Sequence, residues 1–531
     1  MTRSRLVRER HEPDISRVKA LDGNAVNAYL QDESKLTGSA DMVFITSDEA
    51  GISSVLYHAT AGNVPVTISA RRTGVVGGAV PVGGWVLSLE EMDRVVGIGE
   101  DDVGFYMQVE PNVTLRQIDD ILRNGRYRDL EEITPGAISR LKKMGRHLYP
   151  VDPTESNASL GANAACNSSG SRSYRHGPTR DWVRRLRVVL ADGSVLDIRR
   201  GEVFAKNGAF ILDGEGDERM IETLSYEFNR EVKNSAGIFS ADGMDAIDLF
   251  IGSEGILGVV SLLEIRLIPW RPMLSCMAFV PDDEGALRFI DHLKGLDDGP
   301  ELIEFIDRNG IEMIECERKE GHLFSNMPEF PLFPAAAVMF DIPVDDSLEM
   351  LIEEIGSVLK SEGSGLDRTW CAHEERERER FRSFRHAIPE AVFSYIASRK
   401  LQYPDMHKMG TDISVPESSS SEMMKCYRDM VDSSGLRTVM FGHMGDNHPH
   451  LELLIQDMDD YEKAERLCHD LAEKAIGLGG CPSAEHGIGR LKRRYLGMMY
   501  DETQIQDMVR LKKQLDEKWV LNPGVLLESM R

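Results

Sequence analysis

The sequence predicts an α+β protein of more than one domain, and three observations carry that expectation. Apolar segments of strand length alternate with amphipathic helical segments through most of the chain. The alternation stops at Pro269-Trp-Arg-Pro272 and then restarts. Runs of glycine and other small residues crowd the first part, where side chains too small to fill a core leave space for something else. A length of 531 residues agrees with roughly two to four domains of ordinary size.

In chain order, Val43 to Thr46 reads as a strand, Ile52 to Ala61 as a helix and Val64 to Ile68 as a second strand. Strands follow at Trp85 to Leu89 and Phe105 to Val109, then a helix opened by Thr114. Residues 123–149 are polar and broken by Pro135-Gly136, so they read as an inserted helical excursion. Val183 to Leu190 and Ser194 to Ile198 flank Ala-Asp-Gly, a hairpin signal. After the break come a strand at Met277 to Val280, a helix at Glu284 to Leu293, a strand at Ala336 to Ile342 and a helix at Ser347 to Leu359. A long charged helix, Glu374 to Lys400, precedes strands at Ile413 to Val415, Thr438 to Phe441 and His450 to Ile455. Helices at Tyr461 to Ile476 and Gln504 to Lys518 close the chain. For this second part an antiparallel sheet faced by helices is the expected architecture.

With 62 basic against 88 acidic residues, the net charge of -26 argues against nucleic acid as a partner. An anionic substrate would need a local cluster of Arg or Lys to overcome that field. Seven scattered cysteines form no close pair, which excludes a zinc ribbon or iron–sulfur cluster and suits a reducing compartment. The basic N-terminus lacks an apolar segment behind it, so no secretory signal is expected. The apolar run Ile247 to Leu263 contains Asp248 and Glu254 and reads as buried strand and loop, not a transmembrane segment. A soluble cytoplasmic protein is expected.

Ala70-Arg-Arg-Thr-Gly-Val-Val-Gly-Gly-Ala-Val-Pro81 follows a strand, and backbone N–H groups of such a loop can cradle an anion. Its spacing fits neither the dinucleotide fingerprint nor the P-loop. Three further elements join it: Pro150-Val-Asp-Pro153 leading into Ala158 to Gly170, Tyr174 to Asp181, and Gly252 to Gly258. Together they ask for a long, flat, phosphate-bearing cofactor. Downstream, Phe441-Gly-His-Met-Gly-Asp-Asn-His-Pro-His450 puts three histidines within eight residues, and Ala484-Glu-His-Gly-Ile-Gly489 adds a Glu-His pair. One histidine at a strand end is ordinarily a satisfied polar residue. This density suits a metal site beside a catalytic base. On the helix Glu374 to Lys400, Arg378, Arg382 and Arg385 share one stripe.

The ordered set resembles the flavoproteins of the vanillyl-alcohol-oxidase superfamily, with their PCMH-type FAD-binding domain of two subdomains. The second half is similar to the FAD-linked oxidase C-terminal domain of the D-lactate dehydrogenase and glycolate oxidase family. The similarity covers roughly residues 40–530 and includes five separated motifs in the family's order. The implied domains are an N-terminal extension (1–38), an FAD-binding domain (39–270) carrying the 123–149 insertion, and a substrate and metal domain (271–531) whose last residues return to the FAD domain.

By this resemblance Arg72, Thr73, Gly74, Val75, Gly77, Gly78 and Ala79 hold the FAD pyrophosphate. Pro150, Asp152, Pro153, Ser159, Gly161, Ala162, Asn163 and Gly170 lie along the cofactor, as do Gly177, Glu254, Gly255 and Val260. Asn522 matches the C-terminal return to the flavin, with Val525 in place of the commoner lysine. The first glycine loop has no histidine for a covalent bond, and Cys166 lies in the small-residue run, so noncovalent FAD is expected.

The family pattern G-H-x-G-D-G-N-x-H makes His443 and His450 metal ligands, with Glu485 the third, a set suited to Zn²⁺ or Mn²⁺. Asn447 stands for glycine and His448 for asparagine, and His448 could add or perturb a ligand. His486 matches the active-site base, Arg385 the clamp on the substrate carboxylate, and Lys408 is a second cation candidate. The implied activity is FAD-dependent oxidation of a 2-hydroxy acid such as D-lactate, glycolate or D-2-hydroxyglutarate. Electrons would pass to a quinone, a cytochrome or an electron-transfer flavoprotein, with peripheral membrane association through that acceptor. The insertion could reshape site access or mediate assembly into a homo-oligomer. Competing readings are a metallohydrolase built on the His/His/Glu cluster, and a flavin-binding protein that relays electrons without substrate chemistry. The FAD domain alone would also suit an alkyl-glycerone-phosphate synthase or an aromatic-alcohol oxidase.

Overall fold

The computed structural model describes residues 4–214, 218–319, 328–331, 334–403 and 406–529. A four-stranded sheet runs in the order Lys19–Leu21, Met42–Ile45, Trp85–Ser88, Val66–Ser69, and its last three strands are parallel. Parallel strands of one sheet need crossover connections. The helix Glu49–Gly62 supplies the first, capped by Asp48, whose carboxylate accepts from Gly51 N at 2.8 Å. It buries Ile52, Val55, Leu56 and Ala59 in one core with Val66 and Leu87.

The second sheet has nine strands among the described residues, and the first strand of the chain, Arg5–Arg10, belongs to it. Arg5–Arg10 pairs antiparallel with Ser194–Arg199 and parallel with Ala209–Asp213. Arg5–Arg10, expected to lie in an N-terminal extension, is thus a strand of this sheet. Only Leu6 and Arg8 of this strand turn inward, so its charged outer face hid the period-two signal. The expected 183–190 and 194–198 hairpin is present as Val183–Val189 and Ser194–Arg199. Val95–Asp101 was missed because two glycines dilute its apolar pattern; Gly99 gives way to the Tyr106 ring. The excursion at 123–149 contains the helix Ala137–Met144, which buries Ile138 and Leu141 in this domain's core.

The third sheet is antiparallel throughout, as expected of the second part. Its order is Thr369–Ala372, Met273–Val280, Ala336–Pro343, Ile303–Asp307, Thr438–His443, His448–Leu453. Asp283–Lys294, Leu348–Ser361, Ser420–Ser434 and Met458–Gly477 share the core of one face, while Arg308–Lys319 and Glu375–Lys400 contribute to the core of the other. Ile303–Asp307 and the helices Arg308–Lys319 and Ser420–Ser434 were not foreseen. The strand expected at 413–415 is a single bridge from Ser414 to Cys481. The chain's end returns to the first sheet: Val66 N donates to Val520 O and Asn522 N to Val66 O, both at 2.8 Å.

Candidate active site

The hairpin Thr438–His443 and His448–Leu453 sets His443 opposite His448, and Glu304 on the neighbouring strand lies opposite His443. Between the strands Asn447 takes φ 51°, the left-handed region that asparagine enters more readily than most residues. Asparagine can therefore replace the family's glycine there. Gly442 cannot be replaced as easily, because a Cβ would stand 2.8 Å from His448 O at φ 146°.

The loop carrying Glu485 and His486 is gathered around one buried carboxylate. Asp412 accepts from the backbone N of Glu485 (3.2 Å) and His486 (3.0 Å), from Ser483 Oγ (2.9 Å), from Lys492 Nζ (2.7 Å) and from His448 Nε2 (3.0 Å). His486 Nδ1 stands 3.3 Å from the same carboxylate. Burial opposes that charge, yet the surrounding His486 and Lys492 hold the Asp412 carboxyl well below its ordinary range.

Glu485 Oε1 lies 3.6 Å from His443 Nε2, 3.3 Å from His450 Nε2 and 3.8 Å from His486 Nε2. The edge of a tetrahedron with metal–ligand bonds of about 2.05 Å is about 3.3 Å, close to the distances from Glu485 to His443 and His450, and the ligand atoms of His443, His450 and Glu485 all lie within 4.8 Å of one another, as a divalent-cation site would need. Their outer hydrogen bonds fit too. His443 Nδ1 meets Glu304 Oε1, and His450 Nδ1 faces Thr411 O at 3.4 Å, which leaves both Nε2 atoms aimed at Glu485. His443 Nε2 has no hydrogen-bond partner among the described residues, and neither does Nδ1 of His448. His448 also brings a ring nitrogen within 4.8 Å of the ligand atoms of His443, His450 and Glu485. A lysine completes the group: Lys233 Nζ is 2.9 Å from Glu485 Oε2 and 3.6 Å from Asp446 Oδ2.

Protonation follows from these neighbours. Burial alone would lower the His443 imidazolium, but the adjacent Glu304 carboxylate raises it to about 9. Burial lowers His448 to about 3 and His486 to about 4, against the pull of Asp412, so both rings are neutral at pH 7.

Glu304 also holds Arg385, the residue expected to clamp the substrate carboxylate. Arg385 Nε donates to Glu304 Oε2 at 2.6 Å, its guanidinium covers the Phe441 ring at 4.5 Å, and its Nη1 has no hydrogen-bond partner among the described residues. Lys408 is not brought into this group. Its ammonium pairs with Glu452 Oε1 at 2.5 Å and rests over Phe393.

The glycine loop carries Arg72 at φ 56° and Gly77 at φ 78°. At Gly74 and Gly78 nothing lies within 4 Å of a would-be Cβ, so the backbone is open to a ligand. Thr73, Val75 and Ala79 are only partly buried. Ser159 Oγ and Asn163 Nδ2 are buried without a partner among the described residues, as a polar ligand would require. Other small residues serve chain packing instead of free space. A Cβ on Gly161 would strike Pro111, on Gly170 the carbonyl of Asp152, on Gly177 the Asp181 carboxylate, and on Gly255 the Asn522 amide and Ile68. Val260 pairs with Val188 inside the large sheet.

Two residues lock this region to the histidine site. Glu254, at φ 50°, accepts from Ile488 N (2.8 Å) and Gly489 N (2.7 Å), and burial raises its carboxyl to about 7. Asn522 accepts from Ile68 N at 2.8 Å and donates to Glu254 O at 2.9 Å. The loop bearing Glu485 and His486 is thus fixed to the loop 252–258 and to the first sheet.

Residues 272–526 match the family of FAD linked oxidases, C-terminal domain, and residues 40–139 and 132–199 match the FAD binding domain. The chain belongs to the PCMH-type FAD oxidases. It is an oxidoreductase, and FAD is its cofactor.

Relatives of this FAD oxidase include a D-lactate dehydrogenase of Anaerostipes hadrus, 25% identical over 96% of this chain and 95% of the relative. Glycolate oxidase subunit GlcD of Bacillus subtilis is 28% identical over 91% and 88%. A D-2-hydroxyglutarate dehydrogenase of Xanthomonas citri is 25% identical over 90% and 87%. Among solved structures, an alkyldihydroxyacetonephosphate synthase shares the fold with a TM-score of 0.61 at 13% identity, over 95% of this chain and 82% of that one. No helix among the described residues is long and apolar enough to cross a membrane.

Sequence reasoning missed Glu304, Asp412 and Lys233. A glutamate inside the apolar run Ile303-Glu-Phe-Ile-Asp307 was a legible signal, since an inward carboxylate needs a cation or a proton. Lys233 stands in a polar loop and gave none.

Proposed function

We propose that this FAD oxidase converts a 2-hydroxy acid into the 2-oxo acid. The observation that carries the reading is that a guanidinium, a neutral imidazole and a metal-type ligand set are tied together through Glu304 and Glu485. The substrate carboxylate meets Arg385, whose Nη1 has donors to spare. His486 Nε2 takes the hydroxyl proton; Asp412 faces Nδ1, which keeps the N–H there and the lone pair at Nε2. Bound FAD supplies the hydride acceptor, at its N5. His443, His450 and Glu485 would hold Zn²⁺ or Mn²⁺, whose charge would lower the pKa of the substrate hydroxyl. The cofactor residues proposed are Arg72 to Ala79 with Ser159, Asn163 and Glu254 foremost, FAD being held noncovalently. A quinone, cytochrome or electron-transfer flavoprotein would reoxidise it.

The test is the absorbance spectrum of the purified protein followed by anaerobic titration with D-lactate, glycolate and D-2-hydroxyglutarate. Bleaching by one of them supports the reading. A colourless protein that hydrolyses esters or amides would favour the metallohydrolase, and flavin that no hydroxy acid bleaches would favour an electron relay.

A further inference from the structure

Two connected cavities lead to the site. The inner one, about 60 Å³, is bounded by Arg385, Glu304 and His443. The outer one, about 640 Å³, opens between the helix Leu115–Asn124 with the segment 148–156 on one side and the helix Glu375–Lys400 on the other. They meet at Asp152, Arg172, Asp341, Arg382 and His386, which line both. Of the residues expected to hold FAD, only Asp152 and Pro153 border the outer chamber, so most of its wall is separate from them.

Along the helix Glu375–Lys400 the arginine stripe measures depth. Arg385 lines only the inner cavity, Arg382 lines both, and Arg378 lines only the outer. With a rise of about 1.5 Å per residue, Arg382 stands about 4.5 Å outward from Arg385 along the axis and Arg378 about 10 Å. The chamber's charge is the reverse of the chain's: eight arginines against six carboxylates line it, whereas the chain has 62 basic and 88 acidic residues. Several of those arginines are committed. Arg378 donates to Asp341 and Ser275, and Arg175 and Arg271 share Asp298. Arg172 has one ion-pair partner among the described residues, Asp152 at 3.4 Å; Arg382 has Glu375 at 2.9 Å, which also faces Arg123 and Arg378. Both guanidiniums, one from each half of the chain, therefore keep unused donors at the mouth of the inner cavity.

We propose that the substrate is a 2-hydroxy acid with a second anionic group, a carboxylate or phosphate, and that Arg382 and Arg172 bind that group. This rests on the hydroxy-acid reading above and narrows it. A short monoanion such as lactate occupies only the inner cavity and leaves the cationic mouth uncompensated. A dianion extends one helical turn outward and meets two guanidiniums that a strongly acidic protein otherwise has no reason to leave half-paired.

The FAD-loaded protein is tested by anaerobic flavin reduction with three acids: D-2-hydroxyglutarate, D-2-hydroxyvalerate of equal chain length, and a 2-hydroxy acid with a terminal phosphate. The expected result is at least about 10-fold higher efficiency for one dianion than for hydroxyvalerate; which dianion leads tells carboxylate from phosphate. Arg382→Gln and Arg172→Gln should each shrink that preference by about 10-fold or more, and Arg382→Lys should restore part of it. Equal efficiencies for dianion and hydroxyvalerate, or equal losses on both in the variants, would overturn the subsite while leaving the oxidase reading intact. Binding is read separately from the flavin absorbance shift caused by 2-oxoglutarate against 2-oxovalerate. If no hydroxy acid bleaches the flavin but the dianion still binds tighter through Arg382, the activity reading fails and the subsite stands. If the dianion does not bind tighter either, both fail.

Discussion

Replacing Glu304 with glutamine removes the carboxylate shared by His443 and Arg385. In the metal-free protein His443 is raised from 6.5 to about 9. That shift is worth about 3 kcal/mol at roughly 1.36 kcal/mol per unit. The sign for stability follows: proton binding by folded His443 stabilises fully below pH 6.5 and is lost as pH rises through about 9. A metal ion needs the same Nε2 lone pair, so proton and metal compete. At pH 7.5 the competition weakens metal binding by about 30-fold, easing about tenfold per unit up to pH 9. The variant loses this competition, but it also loses the carboxylate that orients the ring, worth about 10–100-fold in affinity. The two changes nearly cancel at neutral pH, so a single affinity decides nothing and the pH slope decides. Mn²⁺ titration at pH 6.5, 7.5 and 8.5, followed by the signal of free Mn²⁺, should give an affinity that climbs with pH in the native chain. In Glu304→Gln it should be nearly flat. A flat native profile, or a variant as steep as the native chain, would refute the pairing. The metal-free variant should also be about 3–5 kcal/mol less stable in denaturant, because Arg385 stays buried without its partner.

Three further outcomes are expected. Asp412→Asn cannot serve six donors, so flavin reduction should slow about 100-fold or more while FAD content is unchanged; an unaltered rate would remove Asp412 as the residue that positions His486. With His486 lowered to about 4, and with metal held at saturating concentration at every pH, the reduction rate should stay level from pH 8 down to about pH 5.5 and fall only as pH approaches 4; a stopped-flow profile with an inflection near 6.5 under those conditions would contradict its buried, neutral state. Gly170→Ala would put a Cβ 1.8 Å from Asp152 O, and the variant should lose several kcal/mol or fail to fold; a melting temperature within about 2 °C of the native value would show that these backbones are not so close.

Much of the sheet-and-helix alternation after residue 272 was legible because strands such as Met273–Val280, Ala336–Pro343 and Thr438–His443 are mostly apolar and buried, and the antiparallel sheet followed from it. Strand Arg5–Arg10 was not, since only two of its six residues turn inward. At the site, His443, His450, Glu485 and His486 announced themselves by type and spacing, and the fold brings them together. The carboxylates that support them, Asp412 for Glu485 and His486 and Glu304 for His443, lie 73 to 139 residues away along the chain. Glu304 and Asp412 acquire their roles only when strands pair and loops close, which no local pattern encodes. The small residues tell a mixed story. Gly74 and Gly78 face open space as cofactor glycines should, whereas Gly161, Gly170 and Gly255 are small because another part of the chain presses against them.

On the proposed reaction, His486 takes the hydroxyl proton of an acid clamped by Arg385 while hydride leaves its C2. Anaerobic single-turnover flavin reduction with C2-protiated and C2-deuterated substrate, in the native chain and in His486→Ala, tests it most directly. The account predicts bleaching slowed about two-fold or more by deuterium in the native chain, and a rate at least about 100-fold lower in the variant with FAD still bound. Native-like bleaching in His486→Ala, or a fully flavinated native protein that no 2-hydroxy acid bleaches, would contradict it.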